Sequence, residues 1–272
     1  MNDSKLKQLF GFARVPFRNV PKTLYADAAR HQASDQIEAF LHRRGFAVVA
    51  GPPGCGKTAL LGRLAAARND ANHQIAYIPF AMLNPSNMVR QLCTALGLQP
   101  KMSLAANLRV IESHLRDSAP VHPILIFDEV QQLSIDTARI IRIIAESQLD
   151  GKHRPSVIMA GGEPFIEQLR MQVYEPLRQR ITLYLRLRPL ISAEATREYI
   201  DHCMIDAGAT QIIVDPAASQ LIHDYSNGIP RLINGLITNA MAEALNAQRP
   251  IVTLEDIHAA AACTLLPERL PA

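Results

Sequence analysis

Gly51-Pro-Pro-Gly-Cys-Gly-Lys-Thr58 follows the short apolar run Phe46–Ala50 and leads into Thr58–Arg68, a stretch rich in Ala and Leu. It fits GxxxxGK[ST] in full, and a strand before it with a helix after it is the context that pattern needs. The glycines let backbone N–H groups turn inward around phosphates, and the helix N-terminus adds partial positive charge. Gly51, Pro52, Pro53, Gly54, Cys55, Gly56, Lys57, Thr58 and Ala59 are therefore the candidate ATP-binding residues. Lys57 is expected to reach the β- and γ-phosphates, and the Thr58 hydroxyl to ligate Mg²⁺. The bland alternative, a Gly-rich turn without a ligand, does not account for both flanks.

Working outward, Ile124-Leu-Ile-Phe-Asp-Glu129 is a run of apolar strand residues ending in two carboxylates. A strand buried on both faces would deliver Asp128 at its tip, beside the phosphate loop, to hold the Mg²⁺ shell. Glu129 is then placed to polarise an attacking water as the catalytic carboxylate. Such a pair alone is common; together with the loop it reads as Walker B. Further strands are expected at Ile75–Phe80 and Ser156–Ala160, and a fifth, with alternating Ile181, Leu183, Leu185 and Leu187, is closed by Pro189. Helical segments lie between them, with Ser86 and Ser103 as N-caps. Short apolar strands alternating with amphipathic helices predict an α/β fold with a parallel sheet covered on both faces.

Past Pro189 the pattern is helical only. Ser192 caps a helix ended by Gly208, Asp215-Pro216 and Pro230 open two more, and Thr253 with Asp256 resembles a capping box. The expected organisation is an N-terminal lead-in at 1–45 packing on the nucleotide site, an α/β core at 46–189 and a small all-helical lid with a short tail at 190–272. The lead-in should contain a helix through Ile37, Phe40 and Leu41.

Three arginines stand out. Arg178 and Arg180 lie just before the fifth strand, where an arginine finger could project toward a neighbour's γ-phosphate; Arg180 is slightly preferred, and a solvated basic turn is the alternative. Arg231 lies in the first turn of a helix, where the helix dipole disfavours a cation. A phosphate ligand explains that placement better than helix stability does.

Composition narrows the classes. The 272 residues are 48% hydrophobic and 19% charged, with a net charge of +3 and no Trp, so aromatic base-stacking is not the main binding device. The small basic excess permits a nucleic-acid partner without requiring one. Cys55, Cys93, Cys203 and Cys263 form no CxxC pair and read as buried thiols in a reducing compartment. No HExxH supports a metalloprotease. Lys5 and Lys7 precede no apolar run, and no stretch approaches the roughly 18–20 apolar residues of a membrane span. The expectation is a cytoplasmic protein with no membrane contact.

The segments Phe10-Gly-Phe12, Pro16-Phe17, Leu24-Tyr25, the phosphate loop, the Asp-Glu strand, Leu177-Arg-Gln-Arg-Ile181, Leu187-Arg-Pro-Leu190 and Gly228-Ile-Pro-Arg-Leu-Ile-Asn234 together resemble the ExeA-like AAA+ ATPases. The resemblance covers nearly the whole chain, and the Gly228–Asn234 segment is its most particular part. It implies a P-loop AAA+ fold, ATP hydrolysis, and a sensor 2 role for Arg231. Such proteins often carry a Gly-Gln-Pro-Glu-like turn after the fourth strand, whose amide serves as sensor 1. Here the turn is Gly161-Gly162-Glu163-Pro164, with Gly162 at the amide position and Glu163 as a weak substitute. The family implies two settings. One is a secretion ATPase with an appended membrane span and peptidoglycan-binding domain. The other is a transposon-encoded ATPase similar to the MuB, TnsC and TniB regulators, which assembles on duplex DNA without sequence preference and activates a DDE transposase. A bare module of this length fits the second, as a ring or filament, with Lys101, Arg109, Lys152 and Arg154 as DNA-contact candidates in or beside loops.

Overall fold

The computed structural model describes residues 3–17, 25, 27–68, 70–79, 84–118, 120–147 and 154–264. Leu24, Phe80 and Lys152 lie outside them. The chain forms two compact units, one of residues 28–53 with 57–187, the other of residues 1–27, 54–56 and 188–272.

The first unit is built on five strands: β1 (Gly45–Ala50), β2 (His73–Ile78), β3 (His122–Phe127), β4 (Ser156–Gly161) and β5 (Ile181–Arg186). All pair in parallel, in the order β2-β3-β4-β1-β5. The three central strands β3, β4 and β1 are buried almost end to end, as continuous apolar runs under helices on both faces require. β5 is an edge strand and keeps its alternation: Thr182, Tyr184 and Arg186 face out while Leu185 is buried. The expected parallel sheet is thus present, with β2 starting two residues earlier than expected.

Helices Lys57–Ala67, Pro85–Ala95, Leu104–Asp117, Ile135–Glu146 and Glu163–Arg170 connect the strands. Ser103 caps its helix by accepting from the Ala106 N–H at 3.2 Å. Ser86 does not cap. Asn84 does, accepting from the Asn87 N–H at 2.9 Å with Pro85 in the first turn, which places Ser86 inside the helix. An Asx cap followed by Pro is the stronger start signal, because Pro has no N–H to satisfy.

The second unit is helical. Its core joins Ile200, Met204, Ile222, Ile233, Ile237, Met241 and Ile257 from helices Ala193–Asp206, Ser219–Ser226, Pro230–Asn246 and Leu254–Thr264. Ser192 accepts from the Ala195 N–H, and the Asp256 carboxylate reaches back to the Thr253 N–H at 2.8 Å, so both expected caps form. Asp215-Pro216 opens a 3₁₀ turn that runs into Ser219–Ser226.

Residues of the N-terminal lead-in fall in both units. Helix Asp3–Phe10 buries Leu6 and Phe10 against Pro230–Asn246, and the Ala207 carbonyl accepts from Ala13 and Arg14. Helix Ala28–Arg43 instead packs on β1 and β5, with Ile37, Phe40 and Leu41 buried. Each apolar face follows the core it completes.

Candidate functional site

The candidate residues gather at the carboxyl ends of β1 and β3. β4 lies between them in the sheet, and in open α/β sheets ligands bind outside the carboxyl ends of the strands where the strand order reverses. From β1 the chain turns through Gly51–Gly56 and enters the helix at Lys57. Lys57 is only 7% exposed, and its ammonium donates to the carbonyls of Gly51 at 2.8 Å and Pro52 at 3.1 Å. A cation held this far from water, at a helix N-terminus beside a glycine loop, suits an anionic ligand. Cys55, inside the loop sequence, is fully buried. Ala59 follows in the first helical turn.

The loop tip, Gly54–Gly56, groups with the helical unit. The Arg231 N–H donates to the Gly54 carbonyl at 3.2 Å, and a Cβ at residue 54 would lie 2.7 Å from that of Arg231. With φ at +84°, position 54 needs glycine twice over, for its conformation and for this approach. Arg231 itself is exposed in the first turn of Pro230–Asn246. The turn before it depends on Gly228, whose φ is +66° and where a Cβ would fall 2.1 Å from the Leu190 carbonyl oxygen.

Asp128 follows β3 and is 1% exposed. Its Oδ2 accepts from the Thr58 hydroxyl at 2.7 Å and from the Tyr77 hydroxyl at 2.8 Å, while Oδ1 accepts from the Glu129 N–H at 2.9 Å. The two expected metal ligands, Thr58 and Asp128, are therefore in direct contact, and a hard cation would find a hydroxyl and a carboxylate there, which is the donor set Mg²⁺ takes. Tyr77 is a residue the sequence reading missed. Its position inside the β2 run gave only a strand signal, because β2 and β3 are neighbours only in the folded sheet. Burial raises its phenol well above the usual range, and its hydrogen bond to Asp128 and the charges of Asp128 and Glu129 add to that. It stays a proton donor to Asp128.

Glu129 adopts left-handed backbone angles, φ 54° and ψ 43°, unusual for a non-glycine residue and of a kind that clusters at functional sites. Its carboxylate accepts a close hydrogen bond from the Gln131 amide.

The two arginines before β5 are held differently. Arg178 Nη1 donates to the carbonyls of Leu169 at 2.9 Å and Arg170 at 3.0 Å, closing the end of helix Glu163–Arg170. Arg180 pairs through Nε with Glu146, which also meets Arg142 at 3.4 Å, and donates to the Pro176 carbonyl at 2.7 Å. Gly162 forms the N-cap of Glu163–Arg170, and Glu163 pairs with Arg186. Of the DNA-contact candidates, Lys101 and Arg154 are exposed beside element ends. Arg109 is exposed but lies in the middle of helix Leu104–Asp117, not beside a loop as expected, because the Ser103 cap starts that helix well before it. Cys93 and Cys203 are buried as expected, while Cys263 is exposed.

Residues 40–169 match the family described as AAA domain. The chain is 30% identical over 248 residues to general secretion pathway protein A of Aeromonas hydrophila, an alignment covering 87% of this chain and 44% of that protein. The chain thus spans less than half the length of that relative. The structure of Cdc6p from Pyrobaculum aerophilum superposes with a TM-score of 0.74 at 19% identity, over 96% of this chain and 71% of that one. The Aeropyrum pernix ORC1 protein in complex with DNA gives 0.68 at 19% identity, over 90% and 67%. The fold is the P-loop AAA+ fold. No helix among the described residues is long and apolar enough to cross a membrane.

The Asp128 arrangement makes a testable claim. Tyr77→Phe removes one donor from a buried carboxylate and leaves the ring in place. Hydrogen bonds to charged groups contribute about 1.5–3 kcal/mol, so urea denaturation should show a loss in that range. An unchanged midpoint would mean that the tyrosine hydroxyl does not hold Asp128.

Proposed function

We propose that this AAA+ P-loop ATPase assembles on duplex DNA in its ATP-bound state and regulates DNA transposition by recruiting a DDE transposase. The observation carrying the nucleotide half of the reading is the Thr58–Asp128 hydrogen bond beside a buried Lys57 that bonds the loop carbonyls. Gly51–Ala59 would bind the phosphates, with Lys57 turning from the loop carbonyls to the β- and γ-oxygens. Thr58 and Asp128 would hold Mg²⁺, which when bound neutralises charge on the transferring phosphoryl group. Glu129 would orient the attacking water and accept its proton, once released by Gln131. Arg231, on the helix that meets the loop tip, would answer to the nucleotide state as sensor 2.

Lys57→Ala should abolish tight nucleotide binding, whereas Glu129→Gln should bind ATP and fail to turn it over. Titration with a fluorescent ATP analogue and phosphate-release kinetics separate the two. Wild-type affinity in Lys57→Ala, or full turnover in Glu129→Gln, would remove the corresponding assignment.

For action in trans, the local bonding favours Arg180 over Arg178. Arg178 is committed to two carbonyls at a helix C-terminus, where a cation is also favoured by the dipole. Arg180 is held by a partly exposed carboxylate, and a γ-phosphate offers an equivalent partner. Arginine fingers contribute roughly 10³–10⁵ in rate. Arg180→Ala should lose most of the turnover while keeping nucleotide affinity, and mixing it with Lys57→Ala should restore part of it. Arg178→Ala should mainly lower stability. Failure of the mixture to regain activity would point to a site complete within one protomer.

The DNA half rests on the resemblance carried by Gly228–Asn234 and on the shared fold with the DNA-bound ORC1 protein. Phosphate contacts without base readout fit the small basic excess, and neighbouring protomers would supply the affinity each one lacks. A second reading is favoured by the identity to general secretion pathway protein A: an ATPase acting on protein partners in an envelope assembly. Binding to short and long duplexes at two salt concentrations, with ADP or a slowly hydrolysed ATP analogue, discriminates the two. The DNA reading expects tighter binding to long duplexes, dependence on the analogue and a steep loss with salt. Absence of DNA binding would favour the secretion reading.

A further inference from the structure

At the opposite edge of the sheet, where the strands begin, lies a cavity of about 150 Å³ lined by Leu41, His42, Arg44, Arg68, His73 and His122. His73 and His122 are the first residues of β2 and β3, and Arg44 immediately precedes β1. We propose that this cavity is a binding site for a phosphate group, separate from the nucleotide site, with the guanidinium groups of Arg44 and Arg68 and the imidazoles of His42, His73 and His122 as its donors.

Five of the six lining side chains carry nitrogen donors, and none carries a carboxylate. Glu38 and Asp70 are the acids closest to the cluster in bonding terms. Glu38 pairs with Arg68, and Asp70 meets His73 Nδ1 at 2.9 Å. Arg44 also donates to the Arg154 carbonyl at 3.1 Å, which fixes its guanidinium in place. His122 Nε2 lies 3.0 Å from the Ser156 hydroxyl, and its ring stands 5.8 Å from that of His73. Two permanent guanidinium charges argue against a metal cation here, and among the described residues no group of three or more His, Cys, Asp or Glu is placed to hold one. Arginine forks and imidazole N–H groups around a small open cavity match a tetrahedral oxyanion.

The field at the site points the same way. Burial first, then the charges of Arg44, His73, His42 and Arg68, push His122 down from 6.5 to about 4. An entering phosphate would oppose those charges and raise His122 again. The positive φ of Arg44, +59°, ends helix Ala28–Arg43, with its N–H donating to the Phe40 carbonyl at 2.9 Å.

The consequence for pH follows by linkage. Between about 4 and 6.5 the unfolded chain binds the His122 proton and the native state does not, so this group costs stability as pH falls through that window. Phosphate, by raising the folded value, should restore stability there.

The test follows the His122 imidazole by NMR titration in the full chain saturated with ADP, so that the phosphate loop is occupied. Sodium phosphate is compared with sodium chloride at equal ionic strength. Phosphate is expected to raise the His122 pKa by about one unit or more and to raise the melting temperature at pH 5.5. Arg44→Gly should abolish both effects and still fold, since glycine accepts the positive φ without strain. A short DNA duplex at low salt forms a second arm: the same His122 shift with DNA identifies a backbone phosphate as the source, and a shift with inorganic phosphate alone identifies the free anion. No phosphate-specific shift, or a shift that survives in Arg44→Gly, overturns the proposal.

Discussion

One carboxylate oxygen, Asp128 Oδ2, receives two hydroxyls, Thr58 from the helix after the phosphate loop and Tyr77 from β2. Three separate elements therefore converge on a single buried acceptor. Left without those donors, a buried carboxylate would be strongly unfavourable. With them, it locks the first turn of the helix to the tips of two strands. The loop between β1 and that helix has fixed ends as a result, and Lys57 is held over the loop carbonyls. The pair that would take a cation is the same pair that sets this geometry. The Thr58 hydroxyl faces the acid with which it would share a metal.

The parallel order β2-β3-β4-β1-β5 makes that convergence possible. With β4 inserted between β1 and β3, the phosphate loop and the acidic tip leave the same edge of the sheet on either side of a buried strand. Central strands buried on both faces leave little freedom for that edge to shift, because close-packed cores resist deformation. Mobility is better sought in the side chains that change partners. Glu129 is held by Gln131, and Arg180 by Glu146; each bond ties a residue with a proposed catalytic role to a neutral or partly exposed partner that a reacting group could replace.

The sequence carried this sheet because continuous apolar runs, a period-2 edge strand and a glycine loop are local signals. The five strands, the helix after the loop, and the caps at Ser103, Ser192 and Thr253–Asp256 all read directly from neighbouring residues. What stayed hidden was non-local. Tyr77 reaches Asp128 only because β2 pairs with β3, and Arg178 is distinguished from Arg180 only by carbonyls at the end of another helix. The Ser86 cap failed on competition, since Asn84 before Pro85 starts the helix first. The histidines at the strand starts gave no motif, as His42, His73 and His122 are far apart in sequence and are assembled by strand register alone.

The two edges of the sheet are joined by the same six-residue strands, each spanning about 20 Å at roughly 3.3 Å per residue. That separation exceeds the screening length of about 8–10 Å at physiological salt. Direct electrostatic coupling between the nucleotide loop and the basic cavity is accordingly weak wherever solvent reaches either end. Mechanical coupling would need the central strands to slide, and burial on both faces opposes that. The rigid sheet thus separates the glycine loop from the basic cavity. Occupation of the cavity should register in the protonation of His122 and in acid stability, and should leave unchanged any nucleotide affinity that the loop, Lys57 and Asp128 supply.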